Sequence, residues 1–349
     1  MEKEVFRIGD EPQLKASIHG STPSPIVSII IVILRWSSDL DKCFSSLATQ
    51  TLSNFEVVVV VNGGPISVPK TENLELAQKV RFIFAGFNLG FGAACNLGAA
   101  AANGSVLLFL NPDTVLHPEC LEHLYNSLSG RKPCIVQPLI HQGYVRSWMK
   151  GNPCDIYGAT GNRFYGVGGG KFYASGAAIA TTRTVFNSLG GFDEKLFLYH
   201  DDLDLCWRAR LAGVRVSSVP QAICWHTGGQ SSKSMPHATK FYYTQRNRVR
   251  VLIKNYSKQN LILRLPPAIL FILVGSIFLS FSDRSSAHIR AALRALAWNL
   301  TVLRNTLTER GVTQRMRLLK DGLVEQAMNK YSMDIRALKQ VILSGGSTQ

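Results

Sequence analysis

Ile26-Val27-Ser28-Ile29-Ile30-Ile31-Val32-Ile33-Leu34 and Phe55-Glu56-Val57-Val58-Val59-Val60-Val61 are two nearly unbroken β-branched runs. Between them Leu40, Phe44, Leu47 and Leu52 recur at helical spacing, so the stretch predicts a β-α-β unit. Neither strand alternates with polar residues, which is the pattern of a parallel sheet covered by helices on both faces. A strand at Val80–Phe84, a Gly/Ala-rich helix from about Ala93 to Ala102 and a strand at Val106–Leu110 continue the alternation. Further along, Val214–Val219 predicts another strand, leading to Trp225-His226. The fold class is therefore a doubly wound α/β sheet. Ligands of such sheets bind beyond the carboxyl ends of the strands, which directs attention to the residues after Leu34, Val61, Phe84 and Leu110.

With 349 residues, 46% hydrophobic and 17% charged, the chain is neither disordered nor collagen-like and has material for a large core. Its formal net charge is +15. From Lys240 onward there are 18 Lys and Arg against 5 Asp and Glu, so that third carries most of the charge and the remainder is nearly neutral. Seven scattered cysteines without a CxxC pair form neither a zinc ribbon nor a disulfide framework, which suits a reducing cytoplasm. Residues 1–24 read as a polar arm with no apolar signal-peptide core.

Leu265–Phe281 is an almost continuous apolar run interrupted by Pro266-Pro267 and Gly275. Ile289, Leu293, Leu296, Leu300, Leu303 and Leu307 then fall at helical spacing with Arg290, Arg294 and Arg304 among them, an amphipathic basic helix. Basic flanks on both sides of the apolar run oppose a single crossing, so the expectation is in-plane attachment to an anionic membrane surface on the cytoplasmic face. The competing reading is a buried core helix. The basic residues accompany an apolar run rather than an aromatic stacking platform, so nucleic acid is not an expected partner.

Four sets of residues can carry chemistry. Asn111-Pro112-Asp113 follows a strand directly, where a carboxylate can hold a divalent cation bridging a diphosphate; the same tripeptide is also ordinary turn chemistry. Asp201, Asp202 and Asp204 stand at a helix start, where two adjacent carboxylates in different environments can divide into a base and a capping acid; caps and a solvated face explain the trio equally well. His226 can give a nitrogen to a metal at Asp113 or be structural. Tyr242-Tyr243-Thr244-Gln245-Arg246-Asn247-Arg248 is either a basic surface helix or a place where Arg246 and Arg248 meet a diphosphate.

Taken in order, these pieces resemble family 2 glycosyltransferases of the GT-A, nucleotide-diphospho-sugar transferase fold, especially rhamnosyltransferase-like members. The resemblance covers roughly Pro25 to Asn255. It rests on Val27–Val32, Gln50-Thr51-Leu52-Ser53-Asn54-Phe55, Asn88-Leu89-Gly90-Phe91-Gly92 with Asn96 and Gly98, and Leu110-Asn111-Pro112-Asp113-Thr114. It continues through Gly190-Gly191-Phe192-Asp193-Glu194, Asp201-Asp202-Leu203-Asp204-Leu205-Cys206-Trp207-Arg208 and His226, and the Tyr/Arg-Asn segment resembles the signature that follows the catalytic domain.

The resemblance implies a mixed sheet and inverting transfer of a sugar, rhamnose among the candidates, from a nucleotide-diphosphate donor to a glycan or lipid-linked acceptor hydroxyl in cell-surface polysaccharide or glycolipid assembly. It implies Mg²⁺ or Mn²⁺ on Asp113 and His226, with Asn111 at the first position of an Asp-x-Asp motif. Asp202 would be the general base with Asp201 its neighbour, and Asn88, Gly90 and Asn96 would approach the donor. Two positions depart from the family. Val61 stands where a nucleobase-contacting Asp is usual, and Ile33-Leu34-Arg35 replaces Thr-Tyr-Asn, leaving Arg35 and Asn62 as polar candidates for the base. The expected organisation is a 25–255 glycosyltransferase domain and a 256–349 basic, apolar-helix region. The alternative is a non-catalytic nucleotide-sugar-binding or scaffold protein on the same fold.

Overall fold

The computed structural model describes residues 24–64, 74–130, 132–143, 147–160, 172–228 and 235–335; the expected polar arm lies outside them but for Ser24. The described residues fall into two compact units, those within 1–148, 176–197 and 218–228 and those within 149–175, 198–217 and 229–349.

The first unit is built on a nine-stranded sheet. Its strands are β1 (Val27–Ile33), β2 (Phe55–Val61), β3 (Val80–Phe84), β4 (Val106–Leu110), β5 (Thr114–Leu116), β6 (Cys134–Gln142), β7 (Ser147–Met149), β8 (Ala178–Thr182) and β9 (Arg215–His226). The order is β3-β2-β1-β4-β8-β6-β9-β5, with β7 paired to β6. The pairs among β1 to β4 are parallel, whereas β8 runs antiparallel to both β4 and β6, and β5 to β9. The sheet is thus mixed. The expected strand at Val214–Val219 extends to His226, and that extension builds the site described below.

The β-branched runs of β1, β2 and β4 are almost wholly buried, as a sheet covered on both faces requires. Helix α1 (Ser38–Ala48) starts where the Ser37 side chain accepts a hydrogen bond from the Leu40 amide, with Asp39 and Asp41 in its first turn. Helices α2 (Leu74–Lys79), α3 (Phe91–Ala101), α4 (Cys120–Leu128) and α5 (Arg183–Ser188) complete the unit. Helix α3 lies close on the sheet because its residues are small: a Cβ on Gly98 would come 2.6 Å from Ile30 Cγ2 and 3.0 Å from Val60 Cγ2.

The second unit is helical, with α6 (Asp201–Leu211), α7 (His237–Asn255), α8 (Lys258–Ser282), α9 (Ala287–Thr301), α10 (Leu303–Arg315) and α11 (Asp321–Val324). The apolar run is the greater part of α8, which begins seven residues earlier than the run and contains Pro266 and Pro267. Ile262 and Leu263, whose carbonyls the prolines leave without a helical donor, are among the exposed residues. The single amphipathic helix expected over Ile289–Leu307 divides at Val302. The break lets both halves turn a polar residue onto α7: Asn299 Nδ2 donates to the Arg246 carbonyl, and Thr306 Oγ1 accepts from Arg250 Nη1 at 2.6 Å.

Helix α6 is held by a buried charge cluster. Asp204, wholly buried, accepts from Arg208 Nε at 2.8 Å and Lys254 Nζ at 3.1 Å on one oxygen and from Asn255 Nδ2 at 3.1 Å on the other. The neighbouring Trp207 stands edge-to-face on Phe172 and Tyr256. Removing the anion strands two cations away from water, so Asp204→Ala is expected to cost about 3–5 kcal/mol of stability. Urea unfolding of the purified variant against wild type measures it.

Candidate active site

Asn111-Pro112-Asp113-Thr114 is a turn, closed by the Thr114 amide donating to the Asn111 carbonyl at 3.2 Å, and the turn is also what aims Asp113. The turn reading of the tripeptide is the one the backbone realises. Thr114 pairs with His226 in the β5–β9 ladder, so the residue before the strand lies against the last residue of β9. Asp113 Oδ1 is 3.2 Å from His226 Nε2, and both side chains are almost wholly buried. The Thr227 amide donates to the Asp113 carbonyl, which pins the junction.

The surroundings define the state of this pair. Burial raises the Asp113 pKa, but the hydrogen bond and charge of His226, with the amides of Asp113 and Gly228, outweigh it and hold the group below the ordinary carboxylate value. On the far side of the imidazole, Nδ1 lies 3.0 Å from Gln142 Oε1, a carbonyl that requires Nδ1 to carry the hydrogen. Nε2 lies 3.2 Å from the carboxylate and 3.4 Å from Asn111 Nδ2: as an imidazolium it donates to Asp113, and as a neutral imidazole it accepts from Asn111 and has a lone pair that a cation can take. That separation is close to the span of two adjacent ligands of an octahedral ion at about 2.1 Å each. Among the described residues no cluster of three His, Cys, Asp or Glu side chains forms, so the protein side of such a site is one carboxylate and one imidazole. Gln142 has no place in the sequence reading; only the register of β6 beside β9 brings it to His226.

The residues expected near the donor behave differently from one another. Arg35 is exposed just beyond β1. Asn62 is buried and spends its amide on the 88–90 loop, donating to Asn88 Oδ1 and the Gly90 carbonyl and accepting from the Leu89 amide at 2.8 Å. Asn88 Oδ1 in turn accepts from the Gly90 amide. Asn62 therefore shapes the loop from within. Gly90 has φ +86°, and a Cβ there would lie 2.5 Å from the Phe197 carbonyl oxygen, so the position admits only glycine without displacement. Asn96 brackets the 192–194 turn, accepting from the Phe192 amide and donating to the Phe192 carbonyl and Glu194 Oε1. Val61, where the family places a base-contacting acid, is fully buried in the sheet.

In the second unit the two adjacent acids separate as their chemistry requires. Asp201 is buried and its charge acts on the Arg246 guanidinium, whereas Asp202 is only partly buried and accepts from the Leu203 amide. Tyr199 and His200, immediately before α6, hold positive φ of 69° and 66°. Two successive non-glycine residues in that region are costly and mark a constrained approach to the acids. Burial pushes the His200 imidazole down to about 4, so it is neutral at physiological pH. Asn247 fixes this approach by donating to the carbonyls of Leu198 and Tyr199, each at 2.8 Å.

Arg246 and Arg248 are largely consumed by the fold. The Arg246 guanidinium lies 4.1 Å from the Trp298 ring centre and 4.8 Å from that of Tyr243, and Arg246 Nε donates to Asn247 Oδ1. Arg248 donates to the Tyr157 carbonyl and forms an ion pair with Asp334 at 2.8 Å. The segment is thus a buried structural helix face, and Arg248 has its guanidinium filled from within the chain.

Residues 28–190 match the family model for glycosyl transferase family 2. The chain is 28% identical over 209 residues to an uncharacterized glycosyltransferase of Rickettsia typhi, covering 57% of this chain and 62% of that relative's length. It is 22% identical over 334 residues to the N-acetylglucosaminyl-diphospho-decaprenol L-rhamnosyltransferase of Mycobacterium tuberculosis, covering 86% of this chain and 98% of that one. The crystal structure of GalNAc-T7 with UDP, GalNAc and Mn²⁺ superposes with a TM-score of 0.52 at 17% identity, over 67% of this chain and 49% of that one. With the mixed sheet and the matched segment, residues 28–190 form a glycosyl transferase family 2 domain by the family model, and the fold is that of the GT-A glycosyltransferases.

Proposed function

We propose that the protein is an inverting, metal-dependent glycosyltransferase that moves a sugar from a nucleotide diphosphate to an acceptor hydroxyl in cell-surface polysaccharide or glycolipid assembly. The observation that carries this reading is the Asp113–His226 pair, a carboxylate and an imidazole 3.2 Å apart with the second imidazole nitrogen held by Gln142. Asp113 and His226 would hold Mg²⁺ or Mn²⁺. When bound, the ion supplies charge neutralisation for the leaving diphosphate. Gln142 fixes the imidazole tautomer and ring plane, and the 111–114 turn holds the carboxylate. The loop closed by Asn62, Asn88 and Gly90 presents backbone at the strand ends, where the donor binds in such sheets. Asp202 takes the acceptor proton as general base, and Asp201 is its structural neighbour. A rhamnosyl donor is favoured by the similarity to the mycobacterial L-rhamnosyltransferase, which extends over 98% of that chain.

The first test is calorimetric titration with UDP, GDP and dTDP in the presence of Mn²⁺ and then of EDTA. Binding of one nucleotide that requires the ion supports the reading and names the donor base. Failure of all three to bind to folded protein overturns it in favour of the non-catalytic alternative, with buried Val61 as the reason.

The same reading places the protein at the cytoplasmic membrane face. Helix α8 has the length and composition to cross a membrane, yet one side of it packs on α7 and α9 through Ile272 with Val249, Ile253 and Ala292. Helix α7 also buries Arg250 and Lys254, which lipid would not accommodate. Ile262, Leu270, Val274, Ile277 and Phe281 form an exposed stripe along the other side. One apolar side and one protein-packed side support in-plane attachment. Wild type is expected to co-sediment with anionic phosphatidylglycerol vesicles, and L270E/I277E/F281E to remain in the supernatant with an unchanged melting temperature, since each substituted side chain forgoes roughly 2 kcal/mol of burial.

A further inference from the structure

On the reverse side of the β5–β9 ladder from Asp113 and His226, four aromatic rings stand in a row. Trp225 immediately precedes His226, so strand alternation turns it to the opposite face. His141 bears the same relation to Gln142 on β6, and Trp148 comes from β7 beside it. Ring centres are 6.4 Å apart from His117 to Trp225, 6.4 Å from Trp225 to Trp148 and 5.0 Å from Trp148 to His141. Trp148 and Trp225 are 38% and 41% exposed. The carboxylate of Glu119 lies 3.9 Å from His117 Nδ1 at one end of the row.

Two tryptophans left this open on one small face of the first unit mark a contact surface. The character of the row selects the partner. Its rings are tilted by 42° (His117 to Trp225), 59° (Trp148 to Trp225) and 70° (His141 to Trp148), so two part-exposed indoles stand among imidazole edges bordered by a carboxylate, whereas the exposed leucines and isoleucines among the described residues are gathered mainly on α8 to α11. Aromatic faces take the C–H surface of a sugar ring by dispersion, and the indole and imidazole nitrogens with Glu119 can bond its hydroxyls.

We propose that His117, Trp225, Trp148 and His141 form a binding platform for the pyranose rings of a glycan. Lying behind the Asp113–His226 pair, the platform holds sugars remote from a reacting hydroxyl, so it takes oligosaccharides and longer chains rather than single sugars. Calling that glycan the acceptor rests on the transferase reading above; the binding itself does not.

The full chain in detergent, and the W148A/W225A variant, are to be applied to an array of microbial oligo- and polysaccharides, with hits measured by tryptophan emission titration. The expected result is retention of an extended glycan by wild type and at least tenfold weaker retention by the variant, with melting temperature and metal-dependent nucleotide binding unchanged. Equal retention by both proteins, or no glycan retained by wild type, overturns the platform. So does loss of anionic-vesicle binding in the variant without glycan binding, which assigns the row to the membrane. Glycan binding without nucleotide binding overturns the transferase reading and leaves the platform standing.

Discussion

Asp113→Ala is expected to abolish metal-dependent nucleotide binding, weakening it by roughly a hundredfold or more, while the protein stays folded. Asp113 is one of the two side chains that would hold the ion, and a site made of one carboxylate and one imidazole cannot lose half its donors and persist. The turn that carries it is closed by backbone, from Thr114 to Asn111 and from Thr227 to the Asp113 carbonyl, so truncating the side chain leaves the β5–β9 junction in place. Calorimetry with the nucleotide that binds wild type reads the loss. The pH dependence has a definite sign. The Asp113 pKa lies below the ordinary carboxylate value, so that group is ionised throughout the neutral range, and metal-dependent binding falls with acid as protons compete for the two donors. H226Q probes the second ligand and Q142L its support; the latter leaves both donors present and is expected to weaken metal binding by about tenfold to a hundredfold, the usual effect of removing a partner that orients a ligand.

The parallel half of the sheet was legible because β1, β2 and β4 are unbroken apolar runs, whose burial on both faces leaves no other reading. The antiparallel half was not. Residues 134–142 and 178–182 contain Gln, Pro, His, Ala and Thr, and their pairing is decided by what they meet across long sequence separations. Gln142 is invisible for the same reason: it becomes a partner of His226 only through the register of strands that a linear reading does not order. Asn62 and Asn96 show the converse limit. The sequence offers both as polar residues on the donor side, and it does not show that their amides also hold the neighbouring chain, Asn62 the 88–90 loop and Asn96 the 192–194 turn. Arg246 and Arg248 follow the same logic on α7, where aromatic rings and Asp334 take up charges that the sequence displays as free.

Asp202→Asn is expected to leave nucleotide binding intact while lowering the transfer rate by about 10²–10⁴, the range set by removing a positioned general base. The pair Asp201-Asp202 makes this a sharp test, because the two carboxylates share a helix turn and differ in surroundings. Asp201 is buried with its charge directed at Arg246, whose own guanidinium is packed on Trp298 and Tyr243. Neutralising it removes a counter-charge from the interior, so Asp201→Asn should lower stability as well as turnover. Asp202 is partly exposed and accepts from the next residue's amide, which an asparagine oxygen accepts equally well. The isosteric substitution therefore keeps that hydrogen bond and removes the capacity to accept a proton. Transfer from the identified sugar nucleotide, followed as kcat and KM separately, distinguishes the roles: a fall in kcat with an unchanged donor KM and melting temperature assigns the proton to Asp202. Full activity in Asp202→Asn would remove it from the reaction. Tyr199 and His200 are held at positive φ, under two hydrogen bonds from Asn247, directly before the first turn of α6, in which Asp201 is buried and Asp202 partly exposed.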